Sequence, residues 1–233
     1  MTLSEALKKA GEKIWGEIHA HPFVRGIADG SLPEEAFRFY MGQDYVFLIE
    51  YARVLALAVS KGGGLETMGR FARLLDATLN QEMELHRKYA ARFGLTAADL
   101  EAVELAPAAR AYTRHLLEVA HSGGLAEIAV SLMPCQWGYA EIGSRLAREG
   151  VVSDANPYAE WIRTYASEEF RSIAGWLCGL IDRLGEGEEG GEEEGGAGLP
   201  ASSRRELERI FLLSSRYEYL FWEMSYRQET WPV

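Results

Sequence analysis

Apolar residues recur every three or four positions along almost the whole chain, and no stretch alternates Val, Ile or Thr with polar residues between tight turns. A pattern with period near 3.6 buries one stripe of each segment, so the segments must be helices packed stripe to stripe. The expected class is all-α, a helical bundle in a single domain over 1–233, since 233 residues can bury one sizeable core.

Local signals divide the pattern. Ser4 is expected to cap a first helix with Leu7, Ala10, Ile14 and Ile18 on its apolar face, ending before His21-Pro22. Ser31 and Glu34 have capping-box spacing for a helix over about 33–60, closed by Gly62-Gly63-Gly64. A helix over about 65–93 stops at Gly94, Thr96 to Asp99 reads as another start, and Pro107 precedes a helix over about 108–121. The next runs over about 125–149. Asn156-Pro157 reads as an N-cap with proline at the first helical position, leading into helix in two pieces to about 184. Ser203 and Glu206 restart helix nearly to the C-terminus. Residues 185–200 hold a Gly/Glu run with no core-forming side chain before Leu199, expected to be a solvated, disordered surface loop.

The formal net charge is −11, but six glutamates (186, 188, 189, 192, 193 and 194) lie in that run, leaving about −5 for the rest. A moderately acidic body excludes a nucleic-acid partner. Cys135 and Cys178 make no disulfide framework, the N-terminus has no signal-peptide pattern, and no uncharged apolar run reaches membrane-span length. These features point to a cytoplasmic protein without membrane partners.

Three polar residues interrupt apolar helix faces. Asp44 sits in Phe37–Tyr51, a segment apolar on nearly every side, with Phe47 and Tyr51 at helical spacing from it. An Arg or a backbone amide could equally satisfy it. Cys135 follows Pro134 inside a helix, where proline frees the Val130 carbonyl, and Tyr139 comes one turn later. Inert core packing is the alternative for Cys135 and the whole account of Cys178. Glu218 lies among Tyr217, Tyr219, Phe221 and Trp222, surroundings that favour a protonated carboxyl suited to general-acid work; pairing with Arg216 or Arg227 is the alternative. Two carboxylates, a thiol and many rings suit a planar, nitrogen-rich heterocycle, which rings stack on and a thiol can attack once an acid protonates it.

The motifs His21-Pro22-Phe23-Val24 with Gly26–Gly30, Gln43-Asp44, Glu82–His86, Leu132–Trp137 and Tyr217–Trp222 together resemble the TenA family, the thiaminase II or aminopyrimidine aminohydrolases, over essentially the whole chain apart from the acidic run. The resemblance implies a fold shared with haem oxygenase and a homotetramer. It also implies hydrolysis of 4-amino-5-aminomethyl-2-methylpyrimidine to the hydroxymethyl compound and ammonia, with cleavage of thiamin to pyrimidine and thiazole, in thiamin salvage. By the same resemblance Cys135 is the nucleophile, Glu218 the catalytic acid and Asp44 the carboxylate holding the aminopyrimidine edge. Tyr139 is a stacking ring, and Tyr112 and Tyr165 line the site. Phe47 stands where the family commonly has Tyr, so stacking is expected to survive without the hydroxyl. The partner is a small aminopyrimidine or thiamin, and no cofactor or metal is expected.

Two rival readings remain. Glu82 and His86 share a helix face at ligand spacing and His19 lies on the first helix, which suits a metal- or haem-dependent oxidoreductase of the same fold. A non-catalytic, regulatory pyrimidine binder is the other, and it would be marked by loss of Cys135 or Glu218; both are present.

Overall fold

The computed structural model describes residues 1–92, 94–149, 153, 155–187 and 199–233. Among them there are helices and turns and no strand. In chain order the helices are α1 (Leu3–Ala10), α2 (Glu12–Ala20), α3 (Pro22–Asp29), α4 (Glu34–Lys61), α5 (Leu65–Ala77), a π-helical turn (Thr78–Glu82), α6 (Met83–Arg92), α7 (Ala97–Glu101), α8 (Pro107–Ser122), α9 (Leu125–Arg148), α10 (Ala159–Tyr165), α11 (Glu168–Glu186) and α12 (Ala201–Arg227). No helix among the described residues is long and apolar enough to cross a membrane. Residues 188–198, most of the acidic run, lie outside the described residues.

The chain forms two compact units. One comprises Met1–Leu32 and Ala126–Tyr219. Here the first expected helix is two helices that meet at Gly11, and its cap is Thr2, which exchanges hydrogen bonds with Glu5 in a capping box. Ser4 instead donates from its amide and hydroxyl to Asp182 on α11 at 2.7 and 3.0 Å. A long-range partner overrides the local cap. The His-Pro-Phe motif is a helix start: the His21 ring Nδ1 accepts from the Phe23 amide at 3.1 Å, and Pro22 takes the first helical position. The helix ends at Gly30, whose φ of +77° favours glycine.

Asn156 does not cap α10, which begins three residues later. Its side chain accepts from the Tyr158 amide at 2.8 Å and donates to the carbonyls of Ile27 and Ala28 at 2.9 and 3.1 Å, tying a turn to the end of α3. α11 runs two residues beyond the expected end, and α12 begins two residues before Ser203. The core here includes Trp15, Ile18, Phe23, Ile128, Ile142, Leu180 and Phe211.

The other unit comprises Pro33–Leu125 and Leu220–Val233. Its centre is α4, buried continuously from Tyr40 to Tyr45 and packed by α5, α6, α7 and α8. The expected Ser31–Glu34 capping box is not formed: Pro33 is the N-cap, and the Ser31 amide donates to Asp29 Oδ1 at 2.9 Å. At the far end Lys61 Nζ donates to the carbonyls of Ala120, His121 and Gly123 at 2.7, 3.1 and 2.5 Å, satisfying the C-terminus of α8. Gln43 clamps the segment before α8, donating to the Glu104 carbonyl and accepting from the Ala106 amide.

The helix expected over 65–93 is broken in phase by the π-helical turn. Its buried positions step through Thr67, Phe71, Leu74 and Thr78, then jump five residues to Met83 and continue at His86 and Tyr89. Each residue turns an α-helix by about 100°, so one extra residue would carry His86 off the buried face unless a wide turn absorbed it. The Met83 amide donating to the Thr78 carbonyl is that wide turn.

Candidate functional site

Asp44 is 5% exposed and His86 2%. The two meet at 2.6 Å, His86 Nε2 to Asp44 Oδ2, and the Tyr40 hydroxyl donates to the same oxygen at 3.1 Å. His86 Nδ1 lies 2.9 Å from the Glu82 carbonyl, which can only accept, so Nδ1 carries a proton. Burial alone pulls the His86 pKa down, but the hydrogen bond and charge of Asp44, with the charge and carbonyl of Glu82, outweigh it and raise it above 6.5. The raised value favours the imidazolium form of His86 beside Asp44. No hydrogen bond among the described residues engages Asp44 Oδ1. Neither an Arg nor a backbone amide is the partner. Sequence reasoning placed His86 in a family motif, as a ligand candidate or a structural hydrogen-bonder, without naming its partner; the signal that could have found it was a buried acid needing a cation.

Around this carboxylate the same unit gathers rings. Phe47 and Tyr51 stack with centroids 6.0 Å apart, Phe47 and Tyr112 lie 5.1 Å apart, and Phe221 meets Phe47 edge-on at 5.5 Å. Tyr40 stacks on Trp222 at 5.7 Å. Phe47 and Tyr112 are thus brought together, and Phe221, which the sequence placed only among the rings near Glu218, joins them.

The other unit holds Cys135, Tyr139, Tyr165 and Glu218. α9 continues through Pro134, with Cys135 half-buried and Tyr139 buried one turn on. Tyr139 and Tyr165 have centroids 4.9 Å apart, and Trp161 lies 4.6 Å from Tyr165 and 5.9 Å from Tyr139. Gly143 permits this, because a Cβ there would lie 2.6 Å from the Tyr165 carbonyl carbon.

Glu218 is 2% exposed, whereas Arg216 is exposed and Arg227 pairs with Glu223. A surface pairing with either arginine does not describe it. Cys178 is half-buried too; burial pushes its pKa up, with nearby Lys8 acting against that.

Of the residues of the redox reading, His86 is held by hydrogen bonds, whereas His19 Nδ1 is buried without a hydrogen-bond partner among the described residues. Both His86 ring nitrogens are in hydrogen bonds, and no group of three His, Cys, Asp or Glu among the described residues is arranged to hold a metal ion. His19 borders a cleft of about 110 Å³ with Arg25, Arg145 and Glu149. That is well below the roughly 300–1,000 Å³ of small-molecule sites.

The chain matches the model of the TENA/THI-4/PQQC family over residues 8–228. It is 44% identical to an aminopyrimidine aminohydrolase of Halalkalibacterium halodurans over 231 residues, covering 99% of this chain and 98% of that one. Among solved structures it is similar to a TenA homologue from P. horikoshii, with TM-score 0.86 and 30% identity over 97% of this chain and 99% of that one. A cyanobacterial haem oxygenase from Synechocystis shares the fold at TM-score 0.62 and 12% identity, over 96% of this chain and 91% of that one.

Proposed function

The chain belongs to the TENA/THI-4/PQQC family, and from that membership we propose that it is an aminopyrimidine aminohydrolase of thiamin salvage working through Cys135, Glu218 and Asp44. It converts 4-amino-5-aminomethyl-2-methylpyrimidine and water to the 5-hydroxymethyl compound and ammonia, and it cleaves thiamin to its pyrimidine and thiazole. The observation that carries this reading is the match, along nearly the full length of both chains, to an enzyme of that name.

In the proposed mechanism Asp44 accepts hydrogen bonds from the amino edge of the pyrimidine, and its unengaged Oδ1 supports that role. Glu218 gives a proton to a ring nitrogen, a role its burial supports. The Cys135 sulfur then forms a bond to an electron-poor ring carbon, its thiol proton passing to the amino leaving group, or to solvent when the thiazole leaves, and ammonia or the neutral thiazole departs from the exocyclic methylene with the bonding electron pair. Water adds to that methylene, the sulfur leaves with its pair and takes up the proton that the water loses, and the ring proton returns to Glu218. Phe47, Tyr112, Tyr139 and Tyr165 are the aromatic walls against which the ring lies flat.

We read both units as parts of one family domain over 1–233, since the family match spans them. We also read the protein as a cytoplasmic homotetramer, to be checked by light scattering in solution.

The decisive experiment is an ammonia-release assay with the aminomethyl pyrimidine, run beside thiamin, on wild type and Cys135→Ala. Expected are turnover in the wild type, none in the variant, and pyrimidine binding in both. No ammonia from the wild type would overturn the function, and turnover by Cys135→Ala would overturn the nucleophile.

A further inference from the structure

We infer that His86 is a positioning residue for the hydrolase: it locks one oxygen of Asp44 so that the other is presented to the aminopyrimidine. This rests on the reading of Asp44 as the group that holds the amino edge.

Three observations on one side of α4 carry it. Asp44 Oδ2 takes two donors, His86 Nε2 at 2.6 Å and the Tyr40 hydroxyl at 3.1 Å, while Oδ1 takes none among the described residues. His86 is itself fixed from behind, its Nδ1 proton going to the Glu82 carbonyl at 2.9 Å, so the ring cannot swing to release the carboxylate. Arg87, next along α6, does not compete for Asp44; it donates to Glu84 at 2.9 Å and to the Tyr45 hydroxyl at 3.2 Å.

A purely structural role accounts poorly for these features. A buried ion pair often stabilises no better than well-packed apolar side chains of the same volume. The phase of α6 also depends on a π-helical turn, a rare geometry concentrated at functional sites, and without it His86 would leave the face that meets Asp44. The fold thus sustains a rare turn and a buried charge pair, and the product is one oriented, unengaged carboxylate oxygen.

The test compares wild type, His86→Gln, His86→Leu, Asp44→Asn and the Asp44→Asn/His86→Leu double variant, using calorimetry with the hydroxymethyl pyrimidine and steady-state kinetics. His86→Leu is expected to weaken binding and raise KM by about tenfold or more while kcat falls less. His86→Gln, which keeps a donor without the charge, should fall between it and wild type. The double variant should bind no more weakly than Asp44→Asn alone, because the two residues act as one unit. In the free protein at neutral pH, the ¹⁵N spectrum of His86 should show both ring nitrogens protonated.

Wild-type binding by His86→Leu, additive losses in the double variant, or a singly protonated ring would overturn the inference. Should His86→Leu fail to fold, His86→Gln and the spectrum still decide. A wild type that binds no pyrimidine would overturn the reading of Asp44 and this inference with it, whereas binding indifferent to residue 86 would overturn the inference alone.

Discussion

Gly138 and Trp15 occupy the same space to within the size of one methyl group: a Cβ at 138 would lie 2.1 Å from Trp15 Cη2 and 2.6 Å from its Cζ3. Trp15 cannot retreat easily. Its Nε1 donates to the Ser215 hydroxyl at 3.2 Å, and Trp137 meets it edge-on with centroids 4.8 Å apart. The residue three positions beyond Cys135 must therefore be glycine for steric reasons, not conformational ones.

Gly138→Ala should destabilise the protein by about 2–3 kcal/mol, the usual cost of forcing an extra methyl group into a packed core. A thermal melt should show Tm lower by about 5–10 °C. An unchanged melt would mean that Trp15 repacks without cost.

Glu218→Gln replaces a buried carboxyl with an amide of the same shape. Ammonia release should fall by about 10²–10⁴-fold, the range for a lost general acid, with the melt close to that of wild type. Near-wild-type turnover would remove Glu218 from the chemistry.

Phe47 lies against Tyr51, Tyr112 and Phe221, so its contribution to binding is a ring face. Phe47→Ala should weaken pyrimidine binding by about tenfold, because a stacked pair is worth about 0.5–1.5 kcal/mol beyond its buried area. Phe47→Tyr keeps the ring and should bind within about threefold of wild type. A large gain in affinity for Phe47→Tyr would show that the hydroxyl, not the ring, is what this position recognises.

The His86–Asp44 pair gives stability a defined pH dependence. Unfolded His86 titrates near 6.5 and folded His86 above it. Its contribution is therefore fully present below about pH 6.5 and is lost as pH rises through the raised folded value. In urea melts the gap between wild type and His86→Gln should be widest near pH 6 and narrower by about pH 9. His19 has the opposite sign, since burial, followed by Arg145, lowers its pKa; its contribution is present above 6.5 and lost as pH falls. A gap for His86 that widens with pH would refute the ion pair.

Much of this was legible before any coordinates. Thr96–Asp99 is the helix start that the sequence indicates, α8 begins at Pro107 within one residue of the expected start, and α4 is buried as its apolar content requires. The expectations that failed were also local ones. Ser4, Ser31 and Asn156 carry good capping side chains, yet Ser4 is taken by Asp182, Ser31 is displaced by the Pro33 start, and Asn156 spends its amide on Ile27 and Ala28. A capping residue offers one hydrogen bond to whichever partner arrives, and sequence spacing sees only near neighbours.

The sequence by itself determined that this protein is helical, where most helices run, and which polar residues sit on faces that should be apolar. Those properties follow from a 3.6-residue repeat and from terminators read within a few positions. Tertiary structure alone decided that His86 rather than an arginine meets Asp44, that Oδ2 is occupied and Oδ1 open, and that position 138 has no room for a methyl group. Each of these depends on atoms brought within a few ångströms by residues 42 to 123 positions apart, and on the phase of one π-helical turn. Helix periodicity carries no record of either.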